Sequence, residues 1–221
     1  LYSSLAWIPS VDTLGSYRPM KGTWDNAGTF AYDVYEGFQS KQETVAVAID
    51  LEDAYNKVNF SIMVRSLIKC EVNPWLVNWI AASLMERTVA LRLGTWTSDP
   101  ARICPGLPQG SPLSPVLFNI YTANVAKIQP TGLGRTLTFA DDILIYRTGS
   151  DRREMVDDIQ KTLHTISGWC RESRSQVNPE KACMLWCSLN NHIVKADLPC
   201  VIFDEHTIER RDRLRYLGIT F

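Results

Sequence analysis

Two short apolar runs, residues 136–139 and 143–146, flank a tight polar break at Asp141-Asp142. Runs of this length around so brief a break predict a β-hairpin with the two aspartates at its turn. An earlier run of Val, Ala and Ile at residues 45–49 is typical of a short buried strand, and it ends at Asp50. The fold must therefore accept acidic side chains at the ends of apolar strands.

Helical spacing and capping residues predict five helices, at about residues 24–39, 60–69, 74–86, 116–128 and 151–170. Their predicted N-terminal caps, where the sequence offers one, are Thr23, Asn59, Asn73 and Ser150. A second hairpin is expected across Gly94, and further strands are expected at residues 183–187, 201–203 and 216–221.

Without the insertion between residues 59 and 128, the order is strand, helical insert, hairpin, helix and strand. This order matches the split β-α-β-β-α-β sandwich. The predicted fold class is α+β, with one antiparallel sheet and helices on one face. The first strand and the hairpin are neighbours in that sheet, so Asp50, Asp141 and Asp142 are expected to converge at one edge.

The positive and negative charges of the chain are almost balanced. Lys and Arg number 23 and Asp and Glu number 24, which gives a net charge of -1. Because phosphate neutralisation supplies most non-specific nucleic-acid affinity, this argues mildly against a simple nucleic-acid clamp.

No apolar run approaches the roughly 20 residues of a membrane span, so no membrane partner is expected. Six cysteines without a CxxC pair favour a reducing compartment, nucleus or cytoplasm.

Three converging carboxylates repel one another, and their charge needs compensation. No Lys or Arg adjoins Asp50 or the Asp141-Asp142 pair in sequence, so a divalent cation is the natural candidate. Hard oxygen ligands favour Mg²⁺, and two ions roughly 3.5–4 Å apart suit phosphoryl transfer. Two simpler readings stay open: the pair could be ordinary turn chemistry, and Asp50 could cap a helix.

A Gly- and Pro-rich loop spans residues 106–114 and leads into a helix. Its two glycines allow close approach of a backbone or a base. Ser111 is expected to cap the helix with Pro112 in its first turn, and Gln109 offers an amide that could bind a nucleotide. The alternative is a well-capped loop without a ligand.

These segments resemble the motifs of reverse transcriptases. Five of them follow in the family's order: Asp50-Leu-Glu-Asp-Ala-Tyr55 is similar to motif A, Gly106-Leu-Pro-Gln-Gly-Ser-Pro-Leu-Ser-Pro-Val-Leu-Phe118 to motif B, Phe139-Ala-Asp-Asp142 to motif C, Asn178-Pro-Glu-Lys181 to motif D and Leu214-Arg-Tyr-Leu-Gly-Ile-Thr-Phe221 to motif E. The alanine of motif C and the long motif B resemble the non-LTR (LINE-type, jockey-like) retrotransposons. Retroviral enzymes usually carry Tyr-Met-Asp-Asp or Tyr-Val-Asp-Asp at motif C.

The resemblance implies a fragment of a right-hand polymerase, a palm with partial helical fingers. It assigns residues 1–44 to partial fingers, 45–58 and 105–188 to the palm, 59–104 to an insertion of fingers and palm, and 200–221 to a motif E region that leads to an absent thumb. Because the first residue is Leu1, the chain is expected to be a piece of a longer retroelement polyprotein with thumb and endonuclease in cis.

The resemblance also implies roles for individual residues. Asp50 and Asp141 would ligate two Mg²⁺ ions, for which Mn²⁺ could substitute. Asp142 would lie beside them, and the carbonyl of Leu51 would add a ligand. Lys181 would act as a general acid on the pyrophosphate leaving group.

The remaining roles concern the nucleotide. Tyr55 resembles the steric gate that excludes a ribose 2′-OH, and Asn56 stands where many relatives carry a second Asp. Gln109 and Gly110 would border the nucleotide and templating base. Arg18 and Lys21, in a worn form of a fingers motif, would grip triphosphate oxygens.

The implied activity is that of an RNA-directed DNA polymerase, a nucleotidyltransferase that extends a DNA primer on an RNA template with dNTPs. One alternative is a catalytically inactive retroelement remnant, or an RNA-binding scaffold, with the same palm. A group II intron or telomerase-like polymerase is another, and a phosphatase built on clustered aspartates is a third.

Overall fold

The computed structural model describes residues 13–85, 87–103, 106–190 and 199–221. They fall into two compact units. We call residues 53–121 the insert unit, and residues 13–52 with those from 122 onward the sheet unit. No helix in these described ranges is long and apolar enough to cross a membrane.

The described helices are α1 Thr23–Gln39, α2 Phe60–Lys69, α3 Pro74–Met85, α4 Ser114–Thr122 and α5 Arg152–Ser173. The described strands are β1 Glu43–Asp50, β2 Thr88–Val89, β3 Arg92–Leu93, β4 Trp96–Thr97, β5 Ala101–Arg102, β6 Gly134–Phe139, β7 Asp142–Gly149, β8 Cys183–Cys187, β9 Ile202–Phe203, β10 His206–Thr207, β11 Glu209–Arg211, β12 Arg215–Tyr216 and β13 Ile219–Thr220.

The sheet unit is built on five strands in the order β11-β8-β1-β7-β6. Strands β1, β6, β7 and β8 pair antiparallel, and β11 runs parallel to β8. Strand β1 is therefore central and lies beside the β6–β7 hairpin, as predicted. Buried side chains of β1, β6, β7 and β8 pack with Phe30 of α1 and with Leu214 and Tyr216 near the C-terminus.

The sheet carries a helix on each face. The hydroxyl of Tyr146 donates to Asp33 of α1 at 2.6 Å, whereas Nε of the next residue, Arg147, donates to Asp158 of α5 at 2.9 Å. Because successive strand residues point to opposite faces, α1 and α5 cover opposite sides of the sheet. The prediction that helices lie on one face is wrong, since both faces of β1 and β7 are apolar and each needs a cover.

Two of the four predicted N-terminal helix caps agree with the structure, and two do not. Asn59 accepts from the backbone N–H of Ile62 at 3.2 Å, and Asn73 from that of Trp75 at 2.9 Å, so both predicted caps are confirmed. The other two caps are wrong by one residue. Gly22, not Thr23, caps α1, where the Asp25 carboxylate accepts from its N–H, and Asp151 caps α5 in place of Ser150.

The insert unit contains α2, α3, α4 and two small hairpins. Strands β3 and β4 pair across Gly94, as predicted, and β2 pairs with β5. Helix α4 ends at Thr122, short of the predicted residue 128. After it, the Lys127 N–H donates to the carbonyl of Asn124, three residues earlier. Val125–Lys127 therefore form a separate short 3₁₀ helix.

Candidate active site

Three aspartates meet where β1 ends and β7 begins in the sheet unit. We call this place, formed by Asp50, Asp141 and Asp142, the carboxylate edge. Asp50, the last residue of β1, pairs in register with Asp142, the first residue of β7. Asp141 precedes it in the hairpin turn, which Ala140 enters with a positive φ of 54°. This turn reverses the chain between Phe139 and Asp142, which face each other across the hairpin. The structure therefore brings Asp50, Asp141 and Asp142 together.

Backbone hydrogen bonds hold this edge in place. The N–H of Leu51 donates to the carbonyl of Asp141 at 3.2 Å, which ties the end of β1 to the hairpin turn. On the other side, Asn178 N–H donates to the Asp50 carbonyl at 2.9 Å. In extended backbone the N–H and C=O of one residue point to the same side. The carbonyl of Leu51 therefore also faces the hairpin.

Lys181 supplies a positive charge to the edge. Its Nζ donates to Oδ2 of Asp50 at 2.6 Å, and its side chain is 64% exposed while that of Asp50 is 16% exposed. Asp50 in turn raises the pKa of Lys181. No cation stands beside the aspartates in the sequence, because Lys181 lies 131 residues from Asp50 along the chain.

One lysine does not offset the acidic charge. Burial, followed by repulsion from Asp141 and Asp50, raises the pKa of Asp142 to about 6 despite the opposing effect of Lys181. Burial is also the largest cause that raises the pKa of Asp141, and Asp50 adds to it. The hairpin carboxylates are thus held in surroundings that disfavour their charged forms.

The donor set fits a hard divalent cation. In the described ranges no group of three or more His, Cys, Asp and Glu side chains is already arranged as a metal site. What the edge offers is carboxylate oxygens and a backbone carbonyl, the ligands that Mg²⁺ and Mn²⁺ prefer. A bound cation would compensate the negative charge of Asp141 and Asp142.

The other predicted residues of the sheet unit lie on a segment beside β6. Leu14 forms a parallel bridge with Thr138, and Arg18 follows, half-buried, with its guanidinium 3.5 Å from the Leu14 carbonyl. Lys21 is exposed, and its N–H donates to the Arg18 carbonyl at 3.2 Å.

The remaining predicted residues belong to the insert unit, where motifs A and B touch. Leu107 N–H donates to the Tyr55 carbonyl at 2.8 Å, and the Tyr55 ring stacks on Phe118 with centroids 4.8 Å apart. Gln109 and Gly110 are exposed.

Ser111 does not cap helix α4, which begins at Ser114. Its hydroxyl accepts from Leu113 N–H at 3.3 Å within the preceding turn. A second bond fixes this turn, since the Ser114 hydroxyl donates to the Pro108 carbonyl at 2.7 Å.

Sequence reasoning assigned no role to Asn26. Its buried amide donates to the Thr138 carbonyl at 3.1 Å and to the Tyr216 hydroxyl at 3.3 Å. The available signal was a polar residue on the apolar stripe of α1, next to Ala27 and one turn before Phe30.

Comparison with known proteins places the chain in one family. The family described as reverse transcriptase (RNA-dependent DNA polymerase) matches residues 11–221. Curated relatives include a probable RNA-directed DNA polymerase from transposon BS of Drosophila melanogaster, 26% identical over 92% of this chain and 23% of that protein. Another is a Pol polyprotein from a type-1 retrotransposable element R2 of Popillia japonica, 27% identical over 93% of this chain and 30% of that protein. The chain thus spans less than a third of these two relatives.

Among solved structures, truncated apo telomerase from Candida tropicalis aligns with a TM-score of 0.62 at 14% identity. The alignment covers 94% of this chain and 39% of that one, and at this identity it shows the fold alone. That fold is the right-hand polymerase fold that the resemblance implied. The chain belongs to the reverse transcriptase (RNA-dependent DNA polymerase) family.

Proposed function

We propose that this chain provides the catalytic palm of a non-LTR retrotransposon reverse transcriptase, which extends a DNA primer on an RNA template. The observation that carries this proposal is the convergence of Asp50, Asp141 and Asp142 at one sheet edge, where β1 pairs with β7 in register. Family membership and relatives named as RNA-directed DNA polymerases support the same activity.

Asp50 and Asp141 would hold two Mg²⁺ ions, with Asp142 and the Leu51 carbonyl beside them. When bound, such ions supply charge neutralisation for the attacking 3′-oxygen and the departing pyrophosphate. The chain's own contribution is to fix these oxygens on a rigid strand pair, so that little reorganisation is needed during the reaction. Mn²⁺ has the same preference for oxygen ligands and would substitute.

Lys181 would hold a proton for the leaving group. Its ammonium already lies at the carboxylate edge through the 2.6 Å contact with Asp50. An exposed lysine at this place can reach a phosphate oxygen and transfer a proton as pyrophosphate departs.

Five further residues are proposed to contact the nucleotide. Tyr55 would exclude ribonucleotides, Gln109 and Gly110 would border the base pair, and Arg18 and Lys21 would bind triphosphate oxygens. The proposed partners are the RNA template, the DNA primer, dNTPs and the remainder of the polyprotein. The assignment of residues 1–44 to partial fingers and the location in nucleus or cytoplasm are part of the same proposal.

A primer-extension assay with Mg²⁺ or Mn²⁺ on RNA and DNA templates tests the proposal. Asp141→Asn should lower dNTP incorporation by about a thousandfold, since a lost metal ligand is worth several kcal/mol. The control is Asp157→Asn, the same change at an exposed position of α5. Full incorporation by folded Asp141→Asn would refute the proposed centre. A folded parent protein without incorporation would favour the inactive remnant.

A further inference from the structure

A buried polar contact joins three chain segments near the carboxylate edge. Asn26 of α1 and Tyr216 of β12 are 4% and 3% exposed. The Asn26 amide donates to the Tyr216 hydroxyl at 3.3 Å and to the Thr138 carbonyl of β6 at 3.1 Å. A single side chain thus links α1, the β6–β7 hairpin and the C-terminal hairpin β12–β13.

The contact lies at the same end of the sheet as the aspartates. Thr138 pairs with Ile143, the residue next to Asp142. Tyr216 packs in the core with Leu144, whose side chain shares a face of β7 with that of Asp142.

The surroundings leave Asn26 little freedom. A Cβ built on Gly15 would lie 2.7 Å from Asn26 Oδ1, and Gly15 N–H donates to the same Thr138 carbonyl at 2.8 Å. The glycine therefore lets the backbone close over the amide.

The direction of the hydrogen bond is fixed by chemistry. An amide nitrogen can only donate, so the Tyr216 oxygen is the acceptor. The Tyr216 hydroxyl therefore receives the amide N–H of Asn26, which also binds the β6 backbone at Thr138.

We propose that Asn26 and Tyr216 are positioning residues that fix Asp142 and the β6–β7 turn for divalent cation binding. This inference rests on the proposed function, because it assigns the cation to the same edge. Groups that orient a ligating carboxylate typically contribute 10–100-fold, as an order of magnitude, to metal affinity or activity.

The sheet unit offers a matched control. Tyr146 is a second buried tyrosine on the same sheet, and its hydroxyl donates to Asp33 of the same helix α1 at 2.6 Å. Along β7 it lies four residues beyond Asp142, about 13 Å at strand spacing. Removing this hydroxyl breaks an α1–tyrosine bond without touching the carboxylate edge.

The experiment compares Tyr216→Phe, Asn26→Ala and Tyr146→Phe in the purified protein with two measurements. Mn²⁺ binding is measured by titration calorimetry without nucleotide, and amide hydrogen exchange is followed in a peptide covering residues 138–144. Tyr216→Phe and Asn26→Ala should each weaken Mn²⁺ binding about tenfold or more and speed exchange in the turn. Tyr146→Phe should leave both within about twofold, because its hydroxyl is remote from Asp142.

Each outcome decides the proposal. If Tyr216→Phe changes Mn²⁺ binding no more than Tyr146→Phe, Tyr216 only contributes packing and the positioning role is refuted. Should Asn26→Ala fail to fold, Tyr216→Phe, which keeps the ring, carries the test. If the folded parent protein binds no Mn²⁺, the proposed function fails, and hydrogen exchange alone then decides whether the two residues hold the turn.

Discussion

Nζ of Lys181 lies 2.6 Å from Oδ2 of Asp50, so the lysine ammonium already binds one carboxylate oxygen of Asp50. Two consequences follow for the proposed chemistry. A divalent ion at Asp50 must share this oxygen with the ammonium or displace it. The same contact holds the lysine where a leaving group would depart.

Lys181→Met should therefore separate binding from catalysis. Loss of the ammonium removes a competitor for Asp50, so Mn²⁺ affinity should be unchanged or tighter. Nucleotide incorporation should slow about a hundredfold in kcat, with little change in KM for the dNTP, because a general acid acts in the transition state. Single-nucleotide extension kinetics and calorimetry measure the two quantities.

Lys181→Arg is the control, since it keeps the charge but not the readily transferred proton. It should retain the parent's Mn²⁺ affinity. An unchanged kcat in Lys181→Met would contradict the role of Lys181 as an acid.

Gly106→Ala should destabilise the insert unit more than Gly110→Ala. Gly106 has φ +131°, and an added Cβ would lie 2.7 Å from the backbone oxygen of Asn56. Gly110 has φ +85°, but no atom lies within 4 Å of its added Cβ. We expect a loss of about 1–2 kcal/mol at Gly110 from backbone strain alone, and a larger loss at Gly106. Urea unfolding curves measure both, and equal losses would show that the contact with Asn56 is relieved at no cost.

Tyr55→Val should relax the choice between deoxynucleotides and ribonucleotides. If the ring excludes a 2′-OH, a smaller side chain should lower the ratio of kcat/KM for dTTP over UTP, by about a hundredfold. Tyr55→Phe should keep the ratio, because it keeps the ring that stacks on Phe118. Steady-state kinetics with both nucleotides give the answer, and a preserved ratio in Tyr55→Val would exclude the gate.

Glu43 should make stability depend on pH. Arg152 contacts its two oxygens at 2.7 Å each, and the indole of Trp186 and the hydroxyl of Ser188 donate to it at 2.9 Å. The bond to Arg152 is the largest cause that lowers its pKa below the ordinary 4.5. Its stabilisation is therefore present above pH 4.5 and is lost as the pH falls through the lowered pKa.

Glu43→Gln should thus lower stability by about 2 kcal/mol near neutral pH, and the gap in Tm from the parent should shrink as the pH falls from 6 to 3. The control is Glu154→Gln, because Glu154 is 70% exposed and forms a 3.3 Å ion pair with Arg147. Because the Glu154 carboxylate is mostly in water and Arg147 also binds Asp158, losing this pair should cost less than about 1 kcal/mol. A gap that widened towards acidic pH would contradict the assignment.

Features encoded within a few residues could be predicted from sequence. The hairpin around Asp141-Asp142 and the strand that ends at Asp50 followed from short apolar runs. The caps at Asn59 and Asn73 followed from side chains that bond a backbone N–H two or three residues away. The errors at Thr23 and Ser150 were of one residue, because neighbouring Gly22 and Asp151 compete for the same position.

The sequence by itself determined the strand-end aspartates and the hairpin, because short-range periodicity and turn chemistry specify them. The five motifs were read from the sequence through their resemblance to reverse transcriptases. Only the tertiary structure decided that Lys181 reaches Asp50, that Asn26 meets Tyr216, and that α1 and α5 cover opposite faces of the sheet. These contacts join residues more than 100 positions apart or depend on which face of a strand each helix covers. Their partners are chosen by the burial of the whole sheet, which no local pattern records.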